Sequence, residues 1–411
     1  MKAILRIAIT ALACAAGLPQ VHAQGFTSGS TGSDGPLNIT TNTTLDLPTN
    51  GVFNYTTITV DQGATLGFRR NLLNTPVHLL ASGAVIINGT INVSGSATLG
   101  NFTGGAGGPG GFDGGAGGIL TTGQALPGGA GQGPGGGRSG VGSHTAANEA
   151  GGGSYGTRPE VAVDARDGQT YGSPLLIPLI GGSGGGGTDG NKDIGGGGGG
   201  GAILIASSTI IRINSTGAVL SRGGNIVGPN RGNGGSGGAI RLVAPRVYGL
   251  GTLNVRGSGF GGSLDSGGAS GAGRIRIDSI FRFEPTNAAV DNIGFNLVPS
   301  IVTSVGSAMV VFPPNNPRLD ILQAAGRTIA EGNNGPVFVE LPFGADTNQT
   351  VTVQARNFGV SVAIRVVLTP AAGDPVSFDA TIDNVAANPA QVIVPVGIPL
   401  NNVVAVNAWT R

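Results

Sequence analysis

The chain has 411 residues, of which 80 are glycine and one is cysteine, and its 22 Lys and Arg stand against 21 Asp and Glu for a net charge of +1. That balance leaves no basic footprint for nucleic acid, and a lone cysteine cannot form an internal disulfide, so packing must hold the chain together. The length leaves room for more than one domain.

Lys2 and Arg6 precede an apolar run from Ile7 to Leu18, and Val21-His22-Ala23 supplies a small-residue cleavage site. The pattern predicts a secretory signal peptide over residues 1–23, cleaved after Ala23, and hence a secreted or cell-surface protein. A lipoprotein site at Leu12-Ala13-Cys14 is the rival reading, and Ala11 fits it poorly. No later stretch reaches the roughly 18 apolar residues needed to span a membrane. Residues 24–36 read as a flexible leader of Gly, Ser, Thr and Asp, and residues 37–68 as Thr- and Asn-rich opening strands, among them Ile58-Thr59-Val60 and Ala64 to Phe68.

A repeat then organises the chain. Val77/His78/Leu79, Ile203/Leu204/Ile205, Ile240/Arg241/Leu242 and Ile275/Arg276/Ile277 keep their outer positions apolar while the middle one varies. A second motif follows the first, as Gly89 to Gly95, Gly217 to Gly223 and Gly251 to Gly257. The alternation predicts strands with one buried and one wet face. The later copies recur at roughly 35 to 37 residues, and units this small bury their apolar face only by stacking. The expected fold is therefore all-β: a right-handed parallel β-helix over residues 37–283 with long glycine-rich excursions. Two packed antiparallel sheets are the rival. On the β-helix, Arg241 and Arg276 stack as neighbours, as do Arg222 and Arg256. Arginine's planar fork suits carboxylates and sugar rings, so the four form a candidate surface ladder for a ligand.

Residues 100–201 form the longest excursion. Gly104-Gly105-Ala106, Gly107-Gly108-Pro109 and Gly110-Gly111-Phe112 repeat every three residues, as do Gly114-Gly115-Ala116 and Gly117-Gly118-Ile119. That period matches an extended polyproline-II-type helix, with a flexible low-complexity loop as the alternative. Tyr171 to Ile180 interrupts the glycine and is expected to pin the excursion to the body. Asp189, Asn191 and Asp193 place oxygen ligands as in the start of a calcium loop, making calcium the one cofactor suggested. Ile194 and Gly200 depart from that motif at its glycine and glutamate positions.

Residues 284–316 read as a linker or final coil. Residues 317–411 carry strands at Val337–Leu341, Thr350–Ala355, Val360–Leu368, Val376–Ile382, Gln391–Val396 and Val403–Trp409, spaced as in a small antiparallel β-sandwich.

Catalytic motifs are weak. Ser154, Ser183 and Ser236 each sit in a Gly-x-Ser-x-Gly pattern, but such hits arise by chance among so many glycines. The leader aside, only His78 and His144 are available as a base. A polysaccharide-cleaving β-helix would use outward acids and arginines, for which Asp265, Asp278, Arg241 and Arg276 are the candidates. The glycine tracts Gly104 to Gly118 and Gly195 to Gly201, followed by Ala202-Ile203-Leu204-Ile205, resemble secreted glycine-rich bacterial proteins with a pectin-lyase-like β-helix body. They also resemble the glycine-rich repeat region of mycobacterial surface proteins, without the helical N-terminal domain of that group. The resemblance, over roughly residues 37–280, implies surface exposure and carries over no catalytic residue.

The sequence thus leads to an exported structural or adhesive protein with no catalysis. Its partner would be an extracellular polysaccharide or a cell-envelope component, and self-association is a further option. A lyase or glycoside hydrolase on the β-helix is the alternative, and binding of ice or a mineral by a flat glycine-helix face is a third idea.

Overall fold

A computed structural model describes residues 25–98, 102–141, 150–159, 166–191, 193–226, 234–258, 270–281, 295–299, 302–313, 315, 317–333, 337–400 and 402–410. The expected signal peptide, His144 and Asp265 lie outside the described residues. Among those described the elements are strands, with no helix long and apolar enough to cross a membrane.

Three parallel sheets carry the first part of the chain. The first holds, side by side, Val52–Tyr55, Val77–Ala81, Ala202–Ser207, Ala239–Ala244, Arg274–Ser279 and Thr303–Gly306. The second holds Leu37–Ile39, Ile58–Val60, Val85–Ile87, Ile210–Ile213 and Arg246–Gly249. The third holds Thr43–Asp46, Thr65–Arg69, Thr90–Asn92, Ala218–Leu220, Thr252–Asn254 and Asn296–Val298. From Val52 to Asn254 the chain visits first, second and third sheet in turn, and each visit lays a strand beside its predecessor.

The register follows the repeat. Val77, Ile203, Ile240 and Ile275 form one row, and Leu79, Ile205, Leu242 and Ile277 the next. Ile91, Val219 and Leu253 align in the third sheet. These rows are buried and meet in one apolar cluster with Ile58, Val60, Leu66, Val85, Ile87, Ile211, Ile213 and Val247. Burying a side chain of this size is worth about 1.5–3 kcal/mol, and β-branched residues suit the pleated surface.

The opposite face of the first sheet is covered too, where the alternation predicts water. Leu80, Leu204, Ala206 and Val243 are buried against Phe26, Leu179, Met309 and Val311. The cover has three sources. One is the N-terminal segment, expected to be flexible but tied down: the Ser28 hydroxyl donates to the carbonyl of Ala81 at 2.7 Å, and Asp34 caps the sheet edge, its carboxylate accepting from the Asn54 amide at 2.6 Å. Another is the segment from Tyr171 to Ile180, which packs Leu176 against Ala202 and Ala239 as expected of a pin. The last is a strap at residues 307–312.

The later passages from the third sheet back to the first run through glycine, whereas the one at residues 70–76 holds none. Phe112, Gly115 and Gly118 donate from their amides to the carbonyls of Gly182, Gly185 and Thr188 at 3.0, 2.9 and 2.7 Å. Gly105 and Gly108 donate in the same step of three to Gly196 and Gly199. A three-residue screw has no internal hydrogen bonds, so its amides and carbonyls all point sideways and can pair with neighbouring segments. Gly195–Gly201 lies inside the resulting bundle. The amides of Gly196 and Gly199 reach Gly115 and Phe112, those of Gly198 and Gly201 reach Ser96 and Val93, and that of Gly200 reaches Ser236. A Cβ on Gly200 would stand 2.5 Å from both the Gly238 nitrogen and the Ser221 carbonyl oxygen. Backbone packs on backbone here, and space alone demands glycine. The segments are ordered by these bonds and do not behave as the flexible loop that was the rival reading.

The C-terminal part forms two antiparallel sheets. One has the order Arg327–Thr328, Arg318–Ala324, Asn348–Arg356, Ala390–Gly397, and the other Val376–Asp383, Ser361–Pro370, Val404–Thr410. Val351, Val353, Val394 and Val396 of the former share one apolar core with Ile364, Val366 and Leu368 of the latter. The expected strand at Val337–Leu341 does not form, the segment lying outside both sheets, and Arg318–Ala324 takes a place in the sheet that sequence reasoning left unassigned. These sheets dock on the glycine bundle. Trp409 meets Phe112 edge-on with ring centroids 5.4 Å apart, and Asp374 pairs with Arg166 at 3.2 Å and accepts from the Ser139 hydroxyl at 3.1 Å.

Candidate functional site

The structure divides the four arginines into two pairs. Arg222 and Arg256 follow in-register strands of the third sheet, where Leu220 pairs with Asn254 and the Gly223 amide donates to the Arg256 carbonyl. Adjacent strands lie about 4.8 Å apart, so these two positions are neighbours on the outer face, and both residues are half-buried. Above them run Thr90, Ala218, Thr252 and Asn296 in one row and Asn92, Leu220 and Asn254 in the next. Asn92 and Asn254 turn back to accept the amides of Ser94 and Arg256, each at 3.0 Å, and the Ser94 hydroxyl accepts the Arg222 amide at 3.0 Å. The surface is therefore a strip in which hydroxyl and amide groups alternate with the apolar Ala218 and Leu220, ending at the two arginine positions. Among the described residues the Arg222 side chain has no ion pair.

Arg241 and Arg276 are also neighbours in register, but they do not face solvent. Arg241 is 1% exposed, Arg276 8% and Asp278 0%. The Asp278 carboxylate accepts from Arg276 Nη2 at 2.6 Å and from Arg241 Nη2 at 3.4 Å, and it also accepts the Ala308 amide of the strap at 3.0 Å. Arg241 Nη2 donates onward to the Val310 carbonyl at 2.7 Å. Burial lowers the Arg241 pKa from its ordinary value and the charge of Asp278 opposes that. The expected outward ladder thus fails at these two positions because the strap covers them, and the charges serve to anchor it. Removing one member of such a buried set typically costs about 3–5 kcal/mol.

His78 lies in the same row, two strands away, with its ring 5.2 Å from that of Phe312. Burial is the main reason its pKa falls to about 4, and the positive charge of Arg241 adds to the shift. It is a neutral packing residue, with Nδ1 buried and unbonded.

Ser154, Ser183 and Ser236 come together inside the glycine bundle, all 0% exposed. The Ser183 amide donates to the Ser236 hydroxyl at 2.8 Å and the Ser236 amide to the Ser183 carbonyl at 2.9 Å. The Ser183 hydroxyl in turn accepts the Gly135 amide at 3.0 Å and bonds the Tyr171 hydroxyl at 2.9 Å. These contacts assign Ser183 and Ser236 to backbone satisfaction. A sealed serine has no route to a substrate.

Asp189, Asn191 and Asp193 share one turn. The Asp189 carboxylate accepts both the Asn191 amide at 3.1 Å and its side-chain nitrogen at 3.2 Å, and the Asp189 carbonyl accepts the Asp193 amide at 3.0 Å. A calcium loop needs oxygens converging on one point, whereas here nitrogen donors face the Asp189 oxygens, so the set does not fit that ion. Among the described residues no group of three or more His, Cys, Asp or Glu is arranged to hold a metal.

Comparison with protein-family models, with curated proteins and with solved structures gives no match to the chain.

Proposed function

We propose that the chain is an exported, non-catalytic structural or adhesive protein that binds an acidic extracellular polysaccharide. Its three parallel sheets are the walls of a right-handed parallel β-helix, its glycine bundle stiffens one corner, and its C-terminal sheets form a β-sandwich. The cyclic order of strands and the continuous apolar interior support the β-helix. The observation that carries the functional reading is the opposite fate of the two arginine pairs. The carboxylate that a polysaccharide-cleaving mechanism would use, Asp278, is held by two guanidinium groups and a backbone amide under the strap. Arg222 and Arg256 stand at neighbouring positions beside rows that carry Thr90, Thr252, Asn92 and Asn254, a spacing suited to carboxylates repeated along a sugar chain.

Native electrophoresis in gels cast with polysaccharides tests this. The account expects slowed migration in uronate polymers, less in neutral glucans, and loss of the difference in Arg222→Ser/Arg256→Ser, with the stained polymer left intact. Clearing of the polymer would mean an enzyme, and migration indifferent to every polymer would remove carbohydrate as the partner.

A further inference from the structure

Val337-Phe338-Val339-Glu340-Leu341 has the composition of a strand and a strand's alternation of exposure, yet it pairs with nothing among the described residues. None of its five amides is hydrogen-bonded among the described residues, and its one bonded carbonyl, that of Phe338, accepts from Arg327 Nη1 at 2.9 Å. Exposure alternates along it. Val337, Val339 and Leu341 are half-buried, whereas Phe338 is 83% exposed and Glu340 is exposed. Two residues on, Phe343 is wholly exposed. A groove lined by Ala325, Gly326 and Arg327 runs beside it, along the outermost strand of the four-stranded sheet. A segment with free backbone donors and acceptors and apolar alternate side chains is a template for another strand.

We infer that Val337–Leu341 is a homodimer interface, pairing antiparallel with the same segment of a second copy about a two-fold axis at Val339. Self-complementarity argues for a second copy over a foreign strand. In that register Val337 faces Leu341, Val339 faces itself, and Glu340 faces Phe338 of the other chain. The Phe338 carbonyl already holds the Arg327 guanidinium, so each Glu340 meets the other copy's Arg327. Neither residue has an ion-pair partner within its own chain among the described residues, and both are exposed. Pro342, which has no amide hydrogen, ends the pairing. A two-fold contact of this kind uses one patch twice and closes on itself.

Sedimentation velocity of residues 24–411 reads the outcome. The chain is expected to run as a dimer. Glu340→Arg sets two cations against each other at both ends of the pairing, and Arg327→Glu sets two anions, so each variant alone is expected to run as a monomer. Mixing the two variants restores opposite charges at both contacts and is expected to regenerate a species of dimer mass. Circular dichroism of each variant, expected to overlay that of the parent chain, separates dissociation from misfolding. A monomeric parent chain would overturn the inference, as would dimers that survive both single changes or variants that fail to pair on mixing.

Discussion

His78 illustrates how one position acquires its chemistry from what covers it. In the sequence it is the middle residue of a strand triplet, equivalent to Leu204, Arg241 and Arg276, and period-two alternation puts all four in water. In the fold the strap brings Phe312 over its ring and burial drops its pKa to about 4 from the ordinary 6.5. The unfolded chain then takes up a proton below pH 6.5 that the folded chain refuses until about pH 4. Stability contributed by neutral His78 is complete above the unfolded value and falls as pH drops through that window, by roughly 3 kcal/mol in all. Denaturant titrations of the parent chain and of His78→Leu should differ in slope between those two pH values and run parallel above neutrality. Parallel curves throughout would show that His78 is solvated. The triplet rows and the two arginine pairings were legible because register follows from repeat spacing. Burial of the middle row was not, since it depends on residues 307–312, whose sequence Ser-Ala-Met-Val-Val-Phe carries no sign of where it will lie.

At the scale of elements, the glycine segments obey a different rule from the strands. A strand needs side chains for one face, whereas a segment such as Gly195–Gly201 needs none, because backbone groups of its neighbours already fill the space. The three-residue period pointed to this in the sequence, but order did not follow from it. Glycine loses more entropy on folding than any other residue, and only the hydrogen bonds seen between segments offset that loss. Gly200→Ala should therefore be strongly destabilising. Overpacking ordinarily costs about 1–3 kcal/mol, and here the obstructing atoms are backbone on two sides. Gly397→Ala, with nothing within 4 Å of the added carbon, should leave the unfolding midpoint almost unchanged. Equal midpoints for the two variants would contradict the bundle. The reverse holds at Val337–Leu341, where strand composition predicted a strand of the C-terminal sheets and the described residues offer it no neighbouring strand to pair with.

For the whole molecule, the glycine bundle and the parallel sheets are one covalent and hydrogen-bonded system. The chain leaves the third sheet at Asn92, Leu220 and Asn254, crosses the bundle, and re-enters the first sheet at Ala202, Ala239 and Arg274. Hydrogen bonding carries through these crossings: the Gly95 amide reaches the Arg222 carbonyl before the bundle, and the Ala239 amide reaches the Gly201 carbonyl after it. The C-terminal sheets close on the far side through Trp409 and Asp374. Such a body should open as a unit, with no separately melting glycine loop. Native-state amide hydrogen exchange measures this most directly. The account predicts that Gly196, Gly198, Gly199 and Gly200 exchange as slowly as Ile203 and Ile205, with the same dependence on denaturant. Exchange of those glycines at the rate of a free chain, while the strands stay protected, would contradict it.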